Sequence, residues 1–282
     1  MMKMATLKFS VGLMVLASVF GIYKPAQADI LITPSQVVFE DRDRFGSVML
    51  VNTGNESRTY DMEWMFFEMI DGAGNYNVVD KPPTDFDLSK YVIFSPRRVT
   101  LAPGASQKIK LALRRPSEIP EGDYHVHLKF ALDPRAPEDI VERQKKDIDT
   151  VEGSSGAAVG INVSYSIPVI LVSGKSEVDV GIEGLKLDRN QKSGSLEAAF
   201  LLTRSGKPYS VLGHINVFHI DDKGREEMVG EIGNAFVFSE VNSRAFNIPL
   251  TKEITGGSLR VVVKSYDKES SLVYAEKTFP LK

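Results

Sequence analysis

The chain has 282 residues, 34 lysines and arginines against 37 aspartates and glutamates, and no cysteine. A charge this close to neutral gives no footing for a nucleic-acid partner. Without a thiol there is no disulfide, zinc–thiolate centre or cysteine nucleophile.

The N-terminal segment 1–28 reads as a secretion signal that is removed. Lys3 and Lys8 frame the start of an apolar run at 9–20, and Lys24 and Pro25 end it before Ala26, Gln27 and Ala28, a small-x-small cleavage pattern. The run is short for a membrane span, so a membrane anchor is the lesser alternative. The mature chain is expected to start at Asp29 after cleavage at Ala28, with no inserted segment. Its remaining length, about 250 residues, suffices for a core without covalent staples.

From 29 onward, short alternating runs follow one another between turn signals. In the first half they span 30–32 with 36–40, then 46–51, 59–69, 91–94, 99–101, 107–113, 122–132 and 158–172. NTGN at 52–55, DGAGN at 71–75 and APG at 102–104 punctuate them. Regular short strands without long helical patterns predict a sandwich or barrel. Trp64 in the third strand and Tyr124 near the start of the penultimate one favour the immunoglobulin-like sandwich, and the missing disulfide excludes an antibody-type domain.

The pattern breaks at 172–175 (VSGK) and resumes with seven runs at 178–187, 196–202, 213–219, 228–238, 244–250, 258–266 and 272–279. These predict a second, smaller sandwich, with turns at 221–224 (DDKG) and 255–257 (TGG). The expected fold is therefore all-β: two immunoglobulin-like sandwich domains, 29–172 and 173–282, joined by a short linker. A linker of about three residues fixes the angle between them in a boomerang-like arrangement with a cleft.

No catalytic constellation stands out, and no enzyme is expected. His125 and His127 share one face of a strand and could hold a metal, but no third ligand is signalled. They read as surface histidines beside Lys129, so no metal is expected. His214 and His219 fall on opposite faces. RSGKP at 204–208 lacks the spacing of a phosphate loop, and no Gly-x-Ser-x-Gly elbow occurs. The pair Arg97 and Arg98 reads first as a solvated turn. Asn55 and Asn162 sit in glycosylation-type triplets that carry no further meaning here.

The segment AVGINVSYSIPVILV at 158–172 holds a period of two well beyond the length of an ordinary strand, which is about five or six residues. Pro168 cannot donate to a ladder and points to an edge or a strand end. Upstream, 133–156 is long, polar and charged, and loops of that size are usually functional or disordered. Two readings stay open. The alternation of a last strand is explained by packing on its own core, which suits 165–171. The extension through Val159, Ile161 and Val163 instead fits an edge meant for another chain, by β-strand addition.

Several stretches together resemble a known family. They are PSQVVFE (34–40), FSPRRVTLAPGASQKIKLALRRP (94–116), PEGDYHVHLKFAL (120–132), INVSYSIPVILV (161–172) and FLLTRSGKPYSVLGHINVF (200–218). In this order and behind a secretion signal, they resemble the periplasmic chaperones of the chaperone–usher pilus system, PapD-like proteins. The resemblance covers essentially the whole mature chain. It implies a periplasmic chaperone that binds and stabilises pilus or fimbrial subunits before assembly. The last strand of its first domain would complete the subunit's fold, and the matching donor-strand positions are Val159, Ile161 and Val163. The implied partners are pilin-like subunits and an outer-membrane usher, with no cofactor; some relatives hide this edge by self-association when free.

The resemblance also implies an arginine in the first strand and a lysine in the last that hold the subunit's carboxylate. The matching positions here are Gln36 and Pro168, and neither carries charge. Arg97, Arg98 and Lys129 are the candidate substitutes. The long loop and YSIPVILV look most like the archaic branch. The alternative function is a PapD-like structural or adaptor protein for a different exported partner, favoured by the absent basic pair.

Overall fold

The computed structural model describes residues 30–40, 42–133, 164–266 and 272–281. The N-terminal sandwich is built from β1 (Ile30–Thr33), β2 (Val37–Phe39), β3 (Phe45–Asn52), β4 (Arg58–Met69), β5 (Tyr76–Val79), β6 (Val92–Ser95), β7 (Arg98–Leu101), β8 (Ser106–Leu113), β9 (Gly122–Leu132) and β10 (Ser164–Ser173). One sheet runs β1-β3-β8-β6. The other runs β2-β10-β9-β4-β5, with β7 added on β4. A single 3-10 turn, Leu88–Lys90, is started by the Asp87 carboxylate, which accepts the Ser89 amide at 3.1 Å.

The C-terminal sandwich pairs β11 (Val178–Arg189), β12 (Leu196–Gly206) and β15 (Ser243–Pro249) in one sheet. Its other sheet runs β14 (Glu226–Val237), β13 (Val211–Ile220), β16 (Ser258–Ser265) and β17 (Val273–Pro280). Alternation explains these strands directly. In β13, Val211, Gly213, Ile215 and Val217 are buried, while Leu212, His214, Asn216 and Phe218 are half-buried on the other face. Both sandwiches have their own apolar core, one around Phe39, Leu50, Leu128 and Phe130, the other around Leu202, Tyr209, Val217 and Phe238. The all-β, two-sandwich expectation therefore holds.

The signature residues fall as the pattern requires. The Tyr124 hydroxyl donates to the Pro120 carbonyl at 3.1 Å, the tie of a tyrosine corner. Trp64 is half-buried against the N-terminal core, edge-on to Phe94 with ring centroids 4.9 Å apart. The turn at 52–55 closes around Asn52, whose amide donates to the carbonyls of Glu56 and Leu101 at 2.7 and 2.9 Å and whose oxygen accepts the Gly54 amide at 3.0 Å. β5 escapes sequence reading because it is only four residues long and mostly outside the core.

The two sandwiches meet face to sheet. Along β9, Tyr124, Val126, Leu128 and Phe130 enter the N-terminal core, which turns Asp123, His125 and His127 toward the C-terminal sandwich. The histidines are thus 2% and 7% exposed, and the expectation of surface histidines fails. The physical reason is general: a polar face with period two normally meets water, but here a second domain covers it. His125 stacks on Phe238 at 3.8 Å, and its Nε2 lies 3.3 Å from both carboxylate oxygens of Glu240. Glu240 also accepts the Met69 amide at 3.3 Å. Burial pushes the Glu240 carboxyl up, but the hydrogen bond and charge of His125 outweigh it and hold the group below the usual range.

Two further contacts lock the junction, and a buried arginine braces the C-terminal turns that face it. Both oxygens of buried Asp123 are taken by Ser210, one by its amide and one by its hydroxyl at 2.7 Å. Asp71, in the β4–β5 turn, accepts the amides of Asn242 and Ser243 at 3.1 and 2.8 Å. Buried Arg204 donates to four backbone carbonyls, those of Lys207, Tyr209, Ser239 and Val241, at 2.8–2.9 Å. Gly174, between β10 and β11, has φ +88, and a Cβ there would stand 2.7 Å from the Tyr209 hydroxyl. Any other residue would be strained at that φ and would crowd the Tyr209 hydroxyl.

Two outcomes follow from this junction. Burial and the charge of His125 lower the His127 pKa to about 3. The unfolded chain takes up that proton near pH 6.5, so it binds more protons than the folded form through the window between the two values. Stability must then fall as pH drops from about 6 toward 3, by roughly 1.4 kcal/mol per pH unit from this group. Urea melts across that range should show the slope, and His127→Phe should remove this share of it while leaving pH 7 stability intact. Separately, Arg204→Met leaves several carbonyls unsatisfied and should cost about 3 kcal/mol or more in denaturant melts. Arg204→Lys should not rescue it, because a compact ammonium cannot span the same carbonyls.

Candidate functional site

β10 lies between the two cores. Tyr165, Ile167, Val169 and Leu171 pack on the N-terminal core, whereas Ile170 and Val172 belong to the C-terminal one. The unbroken apolar run IPVILV is therefore a strand buried on both faces. Toward its start the strand changes character: Ser164 and Ser166 are exposed and Tyr165 is half-buried.

The edge of β10 is covered along only part of its length. On one side it registers with β9 from Ser164 beside Ala131 to Ser173 beside Gly122. On the other, parallel pairing with β2 spans only Val169 beside Val37 to Leu171 beside Phe39. β1 cannot extend this cover, because it pairs with β3 in the opposite sheet. The chain crosses between sheets at Pro34 to Gln36. Ser164 to Pro168 thus form an edge that pairs with no second strand among the described residues. Pro168 sits where that edge begins, at the one position with no amide to offer. Val159, Ile161 and Val163, the expected donor-strand positions, lie outside the described residues.

Gln36 and Pro168 stand side by side, one step back along the parallel register from Val37 and Val169. Both face the C-terminal sandwich, but they border different cavities. Pro168 lines one of about 400 Å³ with Ser35, Phe67, His127, Ser166 and Asn234. There the Ser35 hydroxyl donates to Asn234 at 3.2 Å, across the two sandwiches. Gln36 lines another of about 450 Å³ with Val38, Asp123, Ser210, Ser265 and Tyr274. The Gln36 side chain is 2% exposed, and neither its amide nitrogen nor its oxygen has a hydrogen-bond partner. A buried amide left unpaired costs about 1–3 kcal/mol per group, so such sites normally have an occupant.

The candidate substitute cations are elsewhere. Arg98 pairs with Asp61 at 3.1 Å and with Asp133. Asp133 follows the far end of β9, about 30 Å along that strand from Asp123 at ~3.3 Å per residue. Arg97 lies over the Phe94 ring at 5.6 Å, and Lys129 pairs with Glu63 at 2.8 Å. None of the three lines either cavity. Among the described residues no group of three or more His, Cys, Asp or Glu is placed to hold a metal ion. RSGKP proves to be structural: its Arg204 ties the 207–209 turn to the 239–241 turn within the C-terminal sandwich. Sequence reading missed the roles of Glu240, Asp123 and Arg204, because each acts on a partner more than 30 residues away.

No family model matches this chain, and no curated protein matches it. Solved structures similar to it include the CupB2 chaperone of Pseudomonas aeruginosa, 12% identical over 89% of this chain and 100% of that one, with a TM-score of 0.42. The CsuC–CsuE chaperone–tip subunit pre-assembly complex from archaic Csu pili of Acinetobacter baumannii is 14% identical over 89% of this chain and 97% of that one, also with a TM-score of 0.42. The E. coli chaperone DraB is 8% identical over 89% of this chain and 98% of that one, again at 0.42. Likeness at this level leaves function to be argued from the chain's own residues.

Proposed function

We propose that this protein is a periplasmic chaperone that binds pilus or fimbrial subunits and stabilises them by donating an edge β-strand before assembly. The observation that carries the reading is the half-covered edge of β10. Five residues, Ser164 to Pro168, lack a partner strand on one side among the described residues, and the sequence just before them alternates Val159, Ile161 and Val163. A guest segment laid along this edge would gain backbone hydrogen bonds, and the alternating side chains would fill its apolar groove. Nothing in this exchange needs a nucleotide or cofactor.

The remaining parts of the reading fit this role. A secretion signal at 1–28 delivers the chain to the periplasm. Domains at 29–172 and 173–282 meet at a junction held by buried polar contacts, which presents the edge beside a cleft of fixed shape. An outer-membrane usher would receive the loaded subunit.

One observation favours a second reading, a structural or adaptor protein for another exported partner. The two adjacent positions where the resemblance implies cations hold Gln36 and Pro168, and no described cation replaces them in the cavities they line. Among the described residues no lysine or arginine lines those cavities to anchor a carboxylate by charge-assisted bonds.

Co-expression with a pilin-like subunit tests the proposal. The native chain should yield a one-to-one complex, and Ile161→Asp or Val163→Asp should abolish it. A carboxylate forced into an apolar groove costs roughly 3 kcal/mol or more, at least about 100-fold in affinity. A subunit that stays soluble and bound to both variants would contradict strand donation and favour the adaptor reading.

A further inference from the structure

The Gln36 cavity lies between the two sandwiches, and no described residue satisfies the Gln36 amide. Its walls come from both sandwiches: Gln36 and Val38 from the β2 side, Ser210, Ser265 and Tyr274 from the other. Gln36 is the one lining side chain with both a donor and an acceptor buried and unpartnered. Asp123 is not free to serve, since Ser210 occupies both its oxygens.

Charge narrows the ligand class. The ionisable acids on the walls are Glu40, Asp43 and Asp123, and no lysine, arginine or histidine lines the cavity. Arg42 and Arg115 border a separate cavity that they share with Glu40 and Asp43. An anionic guest would meet these carboxylates, and no described lysine or arginine lines the cavity to offset them, the nearby Arg115 being turned to the Val172 carbonyl. A carboxamide, by contrast, is complementary to another amide: each offers one N–H and one C=O, and two such groups close a reciprocal pair of hydrogen bonds.

We infer that the Gln36 cavity is a subsite for a neutral amide of a bound polypeptide, an Asn or Gln side chain or a backbone peptide group, and excludes a carboxylate. The inference rests on the reading above in taking the guest to be a polypeptide. It departs from that resemblance in the chemistry of the anchor. The bound strand on the β10 edge would thereby be fixed in register by an uncharged contact in the adjacent cleft.

The test uses the purified protein uniformly labelled in 15N and two small probes of the same shape, propionamide and propionate. Gln36→Leu identifies the Gln36 NH₂ resonances by their loss. The amide probe should shift them saturably, and the carboxylate probe should bind at least tenfold more weakly. In Gln36→Leu the amide-induced shift at the Ser210 backbone N–H should vanish while the fold, followed by its thermal transition, is retained. Gln36→Glu, which keeps the shape and loses the N–H donors, should also lose the amide probe. Equal or tighter binding of the carboxylate overturns the inference, as does an unshifted Gln36 with both probes, a cavity filled by water alone. The outcome is separable from strand donation. A saturable amide shift in a protein whose aspartate variants still hold a subunit would sink the strand reading and leave this subsite standing.

Discussion

Every backbone amide and carbonyl in a sheet has to find a partner, and the first strand of this protein can serve only one sheet at a time. β1 pairs with β3, then the chain crosses at Pro34 to Gln36 and β2 pairs with β10 in the opposite sheet. The crossing seals the sandwich at one end and leaves the start of β10 without a second partner strand among the described residues. Proteins ordinarily blunt such an edge with charge, proline or a bulge. Here Pro168 marks the boundary of the uncovered part, and Ser164 to Ile167 beyond it carry no charge. The open edge is thus a consequence of strand switching, and its function is argued from where the switch occurs.

The junction between the sandwiches turns that edge into a site of defined shape. The faces of β9, β10 and β2 that turn away from the N-terminal core are covered by the second sandwich, with polar groups among them. Asp123 on Ser210 and the Nε2 of His125 on Glu240 are buried pairs that cross from one sandwich to the other. Polar pairs of this kind are directional, so they hold the two sheets in one relation more strictly than apolar packing alone. Against that background the unpartnered amide of Gln36 stands out.

Much of this was legible in the sequence. All seven C-terminal strands follow from alternation between glycine-rich turns, as do most of the N-terminal ones, because each has one face on a core. Trp64 and Tyr124 identified the sandwich type, and the 52–55 turn followed from asparagine chemistry around Asn52. Gln36 and Pro168 were singled out only through the resemblance, and they border two different cavities. What stayed hidden is long-range. His125 and His127 looked like a solvent face because nothing local announces that Phe238 and Glu240 cover them. Arg204 looked like part of a loop because two of its four acceptors, the carbonyls of Ser239 and Val241, come from a distant turn. β5 is too short to show a period, and Val159 to Val163 lie outside the described residues.

Amide hydrogen exchange on the free protein, read residue by residue by NMR, tests the central claim most directly. In Ser164 to Ile167, the amides pointing away from β9 should exchange orders of magnitude faster than those of Val169 to Leu171 directed at β2, and should become protected once a subunit is bound. Equal protection of both stretches in the free, monomeric protein would mean that the edge is already sealed by the chain itself, and the account would fail.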